Sequence, residues 1–150
     1  MDEKILFKAM EVLTGKWIEG YYAYAKWYLD DSARHIIIPT DFTLFPHCEI
    51  SEYEVIMPET LCRYTGRTDK NGIKIWENDI LQLEDRLVKV YWLDENAQFD
   101  CEFVKHNKNI VITNFKGVEP RDYEHYEVVG NIFDNPELLS ATQEGEQWED

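Results

Sequence analysis

Short runs of alternating apolar and polar positions, each closed by a turn-forming cluster, dominate this chain. Period-two alternation marks a half-buried strand, because successive side chains point to opposite faces. Phe99, Cys101 and Phe103 alternate with Asp100 and Glu102. Val88, Val90 and Trp92 take one face of the preceding run, and Leu87, Lys89 and Tyr91 take the other. Asp94-Glu95-Asn96 turns the chain between these two runs, and Glu84-Asp85-Arg86 separates them from Ile80, Leu81 and Leu83. Residues 110–115 read as a further strand. Residues 126–132 read as another, interrupted by Gly130, which points to a bulge or a close backbone approach.

Towards the N-terminus, residues 5–13 and 17–24 flank Thr14-Gly15-Lys16, where glycine can close a hairpin. Ile5, Leu6, Ala9, Met10 and Leu13 also fit a helical period. A strand is preferred there because the turn leads straight into an aromatic, β-favouring segment. In that segment Tyr22, Tyr24 and Lys26 share one face, and Tyr21, Ala23, Ala25 and Trp27 share the other. Tyr22, Tyr24 and Trp27 are candidates for a subunit interface, since amphipathic aromatic rings concentrate there. Residues 36–38 form a short strand, Pro39 and Pro46 mark a loop, and residues 52–57 give another strand up to Pro58.

After Pro58 the chain reads as a compact all-β unit. Residues 61–65 form a strand ending at Gly66. Asp69-Lys70-Asn71-Gly72 is a hairpin signal, with Asn-Gly suited to a type I′ turn. Strands at intervals of about ten residues indicate a small barrel or a sandwich. Asp134 or Asn135 can cap a short C-terminal helix with Pro136 in its first position. The expected organisation is a β region over residues 1–57, a β unit over 58–139 and an acidic tail over 140–150.

Composition narrows the function classes. The formal net charge of the 150 residues is −15, and residues 117–150 hold ten acids against Arg121. Such a surface repels phosphate backbones and anionic lipid, because both bind through Lys and Arg. Nucleic acid and membrane are therefore not expected partners. Cys48, Cys62 and Cys101 match neither a zinc pattern nor a paired disulfide framework. They read as small apolar residues in a reducing compartment. Residues 1–10, MDEKILFKAM, show no signal-peptide pattern, and the longest aliphatic run is too short for a bilayer span. The expected location is the cytoplasm.

Residues 58–83, PETLCRYTGRTDKNGIKIWENDILQL, and 126–139, YEVVGNIFDNPELL, together resemble the YopX family of phage and prophage proteins. The matching positions are Tyr64-Thr65-Gly66, Lys70-Asn71-Gly72, Trp76-Glu77-Asn78-Asp79-Ile80 and Val129 to Leu138. Two positions depart from the pattern. Asn78 stands where glycine is common, and Arg67 where an aliphatic residue is usual. The resemblance implies a mainly β protein with an SH3-like barrel, self-associating, made in the cytoplasm of an infected or lysogenic bacterium. It implies no reaction.

Candidate chemistry is sparse. Glu77 and Asp79 would share one face of a strand, and paired carboxylates can bind a metal or do acid–base work. Carboxylates in turns more often accept backbone N–H bonds. Tyr64, Arg67 and Lys70 gather the one local basic cluster, and with Trp76, Glu77 and Asp79 they make up the candidate binding residues. No catalytic residue, metal ligand or cofactor is assigned. The expected function is that of a non-enzymatic phage accessory protein that self-associates and binds a host or phage protein. The alternative is nucleic-acid or nucleotide binding through the barrel, by analogy with other SH3-like folds.

Overall fold

The structure is a computed structural model that describes residues 5–27, 29–41, 53–84, 86–105 and 120–139. The chain divides into two compact units, Met1–Tyr64 and Thr65–Asp150. The sequence places a change of character after residue 57. The division falls later because Pro58–Thr60 and the start of the next strand pair back on the first strand.

In the first unit the strands are β1 (Phe7–Met10), β2 (Trp17–Lys26), β3 (Ala33–Ile38) and β4 (Glu54–Val55), followed by the start of β5 (Cys62–Thr68). They lie in the order β4-β3-β2-β1-β5, all antiparallel. The expected hairpin is present, with Met10 opposite Trp17 and Gly15 at φ 67°. β3 begins at Ala33, three residues before the expected start, because its polar half pairs with the aromatic end of β2. Ala9, Ile37 and Ile56 form the core of this unit, with Phe7, Ile18, Tyr22 and Leu61 packed against them.

β2 can cross this core only because residue 20 is glycine. A Cβ there would stand 2.1 Å from the Ile38 carbonyl oxygen and 2.9 Å from Ile37 Cγ2. Backbone approaches that close exclude any side chain.

The second unit holds the rest of β5, then β6 (Lys74–Trp76), β7 (Asp79–Leu83), β8 (Arg86–Leu93), β9 (Gln98–Lys105) and β10 (Glu127–Asn131). Its four-stranded antiparallel sheet has the order β10-β7-β8-β9. Ile75, Leu81, Val88, Val90, Cys101, Tyr123 and Tyr126 form the core. Each fully buried aliphatic side chain there contributes about 1.5–3 kcal/mol. The alternation read for β8 holds from Val88 to Tyr91 but not at Leu87, which is also buried, beside a shift in register. On β9 Cys101 is buried between half-buried Asp100 and exposed Glu102, and Trp92 meets its cross-strand partner Phe99 edge-on at 4.9 Å.

The fold is mainly β, as expected; the described residues form two antiparallel sheets, with short 3-10 turns and one short α-helical turn near the C-terminal end of the described part. The expected barrel is not closed. Gly66 does not end its strand: at φ 79° it lies inside β5, which runs on to Thr68. The helical turn lies where expected, with Leu138 N–H donating to Asn135 O and Leu139 N–H to Pro136 O. Residues 110–115 and 140–150, read from sequence as a strand and a tail, lie outside the described residues. No described helix is long and apolar enough to cross a membrane.

Candidate functional site

Residues 61–79 contain most of the sequence's candidates, and the fold shows what their side chains hold. Asp69 opens the turn between β5 and β6. Its Oδ1 accepts the N–H of Asn71 at 2.8 Å and of Ile73 at 2.9 Å. Its Oδ2 accepts the N–H of Val128 on β10 at 3.0 Å. The residue is only 4% exposed. Burial pushes its carboxyl up, but the three backbone donors and then Lys70 outweigh it, so the group titrates below the usual carboxylate range.

This carboxylate also corrects the expected turn. A type I′ hairpin needs positive φ at both central residues. Among residues 69–73 only Gly72, at 78°, has it. Gly72 N–H donates to Asp69 O at 3.0 Å and Asp69 N–H to Ile73 O at 2.8 Å. That pattern is a tight turn closed by a left-handed glycine, and the Asp69 side chain selects it by capturing the Asn71 N–H.

The next turn, Glu77-Asn78, links β6 to β7. Asn78 has φ 71°, so a side chain does occupy the left-handed position flagged in the sequence. Its N–H donates to Val90 O at 2.8 Å, and its carbonyl accepts Ile132 N–H at 3.1 Å. Asp79 is 2% exposed, and its Oδ2 accepts the Trp76 N–H at 2.8 Å. Glu77 and Asp79 therefore do not share a strand face. Glu77 is half-buried in the turn and Asp79 begins β7.

The C-terminal motif answers these turns. Asn131 Oδ1 accepts the N–H groups of Phe133 at 2.9 Å and Asp134 at 2.8 Å, and Nδ2 donates to Asp134 Oδ2 at 3.0 Å. Asn135 Oδ1 accepts the Asn131 N–H at 3.2 Å. Gly130 leaves room for that amide: a Cβ at 130 would lie 2.3 Å from Asn135 Oδ1. The ladder shifts register between Val128 and Gly130, as the bulge reading expects, and what comes close to the glycine is the Asn135 side chain, not another stretch of backbone. Gly130→Ala is expected to displace Asn135 and cost about 1–2 kcal/mol, seen as faster amide exchange at Asn131.

Thus the two motifs, far apart in sequence, meet through Asp69, Lys70 and Asn78 on one side and Tyr126, Val128 and Ile132 on the other. The remaining candidates are dispersed. Arg67 is exposed. Lys70 Nζ stands 3.4 Å from Glu127 Oε2, a surface pair worth about 0–1 kcal/mol. Trp76 is buried. Tyr64 belongs to the first unit, where its N–H donates to Leu6 O at 2.9 Å. Among the described residues no group of three or more His, Cys, Asp or Glu is placed to hold a metal ion.

The interface candidates lie on the first unit. Tyr24 is 64% exposed, and its ring sits 4.6 Å from that of His35, its cross-strand partner. Tyr22 is half-buried against Phe7 at 5.5 Å, and its hydroxyl is 2.6 Å from His35 Nδ1. Trp27 is packed between Tyr53, edge-on at 5.7 Å, and the Arg34 guanidinium at 5.0 Å. Sequence reading placed Asp69 in the turn without giving its side chain a role, and missed His35. An aspartate two residues before Asn-Gly does signal a side-chain-capped turn. His35 gives no such signal before the β2–β3 register is known.

In the second unit, burial first and then Cys101 push the Tyr123 phenol above its ordinary value. Cys62 and Cys101 are buried and take no part in a disulfide, with Cys62 Sγ donating to Thr60 O and Cys101 Sγ to the Tyr123 hydroxyl, and Cys48 lies outside the described residues.

A family model described as YopX protein matches residues 7–140. Among solved structures, the crystal structure of protein EF1440 from Enterococcus faecalis is similar to this chain. The two are 27% identical, the match covers 91% of this chain and 98% of that one, and the TM-score is 0.53. Among curated proteins none matches.

Proposed function

The chain belongs to the YopX family, and from that premise we propose that it is a non-enzymatic accessory protein of a phage or prophage that self-associates and binds a host or phage protein. The observation that carries this reading is the aromatic surface of β2 and β3. Tyr24 stands largely in solvent while His35 fixes its ring, and Tyr22 fixes His35 in turn. A large ring held in one position loses little entropy on docking, which suits it to anchor an interface. Leu13, 90% exposed in the β1–β2 turn, adds apolar surface to the same unit. In the second unit, Asp69, Asp79 and Asn131 each hold backbone N–H groups, which supports a structural reading of the motif. The buried thiols Cys62 and Cys101, neither in a disulfide, fit a reducing cytoplasm.

Light scattering on purified protein tests the proposal. Tyr24→Ser is expected to weaken self-association by about tenfold or more, as for an interface anchor, with the fold unchanged by circular dichroism. A wild type that stays monomeric at every concentration and retains nothing from host lysate ends this reading.

A further inference from the structure

We propose that Asn71 is a spontaneous modification site, an asparagine whose deamidation the folded turn holds back and whose product releases the Asp69 clamp on β10. Asn71-Gly72 is the one Asn-Gly pair in the chain. Glycine leaves the amide nitrogen after an asparagine unshielded, so it can attack the side-chain carbonyl. In that step the Gly72 nitrogen bonds to Asn71 Cγ, its proton passes to solvent base, and the side-chain nitrogen leaves as ammonia. Water then opens the cyclic imide at either carbonyl, giving aspartate or isoaspartate. The balance is amide plus water to carboxylate plus ammonium, with no oxidant or reductant.

Both residues are exposed, so water and base reach them. The backbone, however, is held. The attacking nitrogen donates its N–H to Asp69 O at 3.0 Å, and Asn71 N–H is fixed on Asp69 Oδ1 at 2.8 Å. Ring closure requires rotation between these two residues, so the turn must open first. The isoaspartyl product carries an extra backbone carbon between residues 71 and 72. The Asp69–Ile73 pairing cannot then close with its present length. The same Asp69 carboxylate holds Val128 N–H, so damage to the turn reaches β10, 59 residues away in sequence. The new carboxylate also adds negative charge to a turn that already holds buried Asp69.

Peptide mapping by mass spectrometry, on full-length protein kept in mildly alkaline buffer, reads the rate at each asparagine. Asn71 is expected to convert first among the described asparagines. Asp69→Ala is expected to speed it at least roughly tenfold, equivalent to about 1.4 kcal/mol of lost opening free energy. Should that variant not fold, the wild type in urea below its unfolding transition serves instead, and the rate should rise with urea. The isoaspartyl form, separated by chromatography, should show faster amide exchange at Val128. Earlier conversion at another described asparagine, a rate indifferent to Asp69 and to urea, or unchanged Val128 exchange in the isoaspartyl form would each overturn the proposal.

Discussion

Asp69→Ala is expected to destabilise the unit Thr65–Asp150 by about 2–4 kcal/mol, since it strips the acceptor from three backbone N–H groups around a buried position. Asp69→Asn should recover only part of this. One face of an amide is a donor, and it would oppose one of the N–H groups now bound. The effect depends on pH with a definite sign. The carboxyl titrates lower in the folded chain than in the unfolded one. Its contribution is therefore complete above the unfolded value of about 3.9 and is lost as pH falls through the folded value. Urea titrations across that acid range, with amide exchange at Val128 as the local readout, check both points. The wild type should lose stability more steeply than Asp69→Ala as pH falls. Parallel curves would mean that Asp69 carries no charge-dependent stability.

The second large effect is expected at Gly20. Its substitution by alanine sets a methyl group 2.1 Å from the Ile38 carbonyl oxygen, a contact that no rotamer relieves. β3 must shift, and the cost should reach or exceed about 3 kcal/mol, the upper end for overpacking. Gly72→Ala is the useful comparison. Nothing lies within 4 Å of a Cβ there, and its penalty is the left-handed backbone alone, about 1 kcal/mol. Equilibrium unfolding of the two variants should rank Gly20→Ala well above Gly72→Ala. The reverse order would show that β3 yields easily.

The strands were legible in the sequence wherever one face is buried. Val88, Val90 and Cys101 are each almost wholly enclosed, as their alternation with polar neighbours requires. Asn78 was legible too, because a left-handed position that usually takes glycine tolerates asparagine. Contacts over long sequence separation were not legible. That the Asp69 carboxylate reaches Val128 depends on where β10 pairs with β7, and no local pattern encodes that register. The turn at Asn71 was misread for the same reason: its type is chosen by a side chain two residues earlier, not by the Asn-Gly pair alone. Barrel closure failed as an expectation because strand count and spacing constrain the number of pairings but not which end strands meet. Ala97, left-handed at φ 49°, carries no residue-type signal at all.

β4, at one end of the sheet that contains the aromatic surface, is two residues long. A strand that short offers almost no template on which a further chain could lay down a ladder. The proposed self-association would therefore use the broad side of β2 and β3, where Tyr24 is exposed, and not strand addition at this edge.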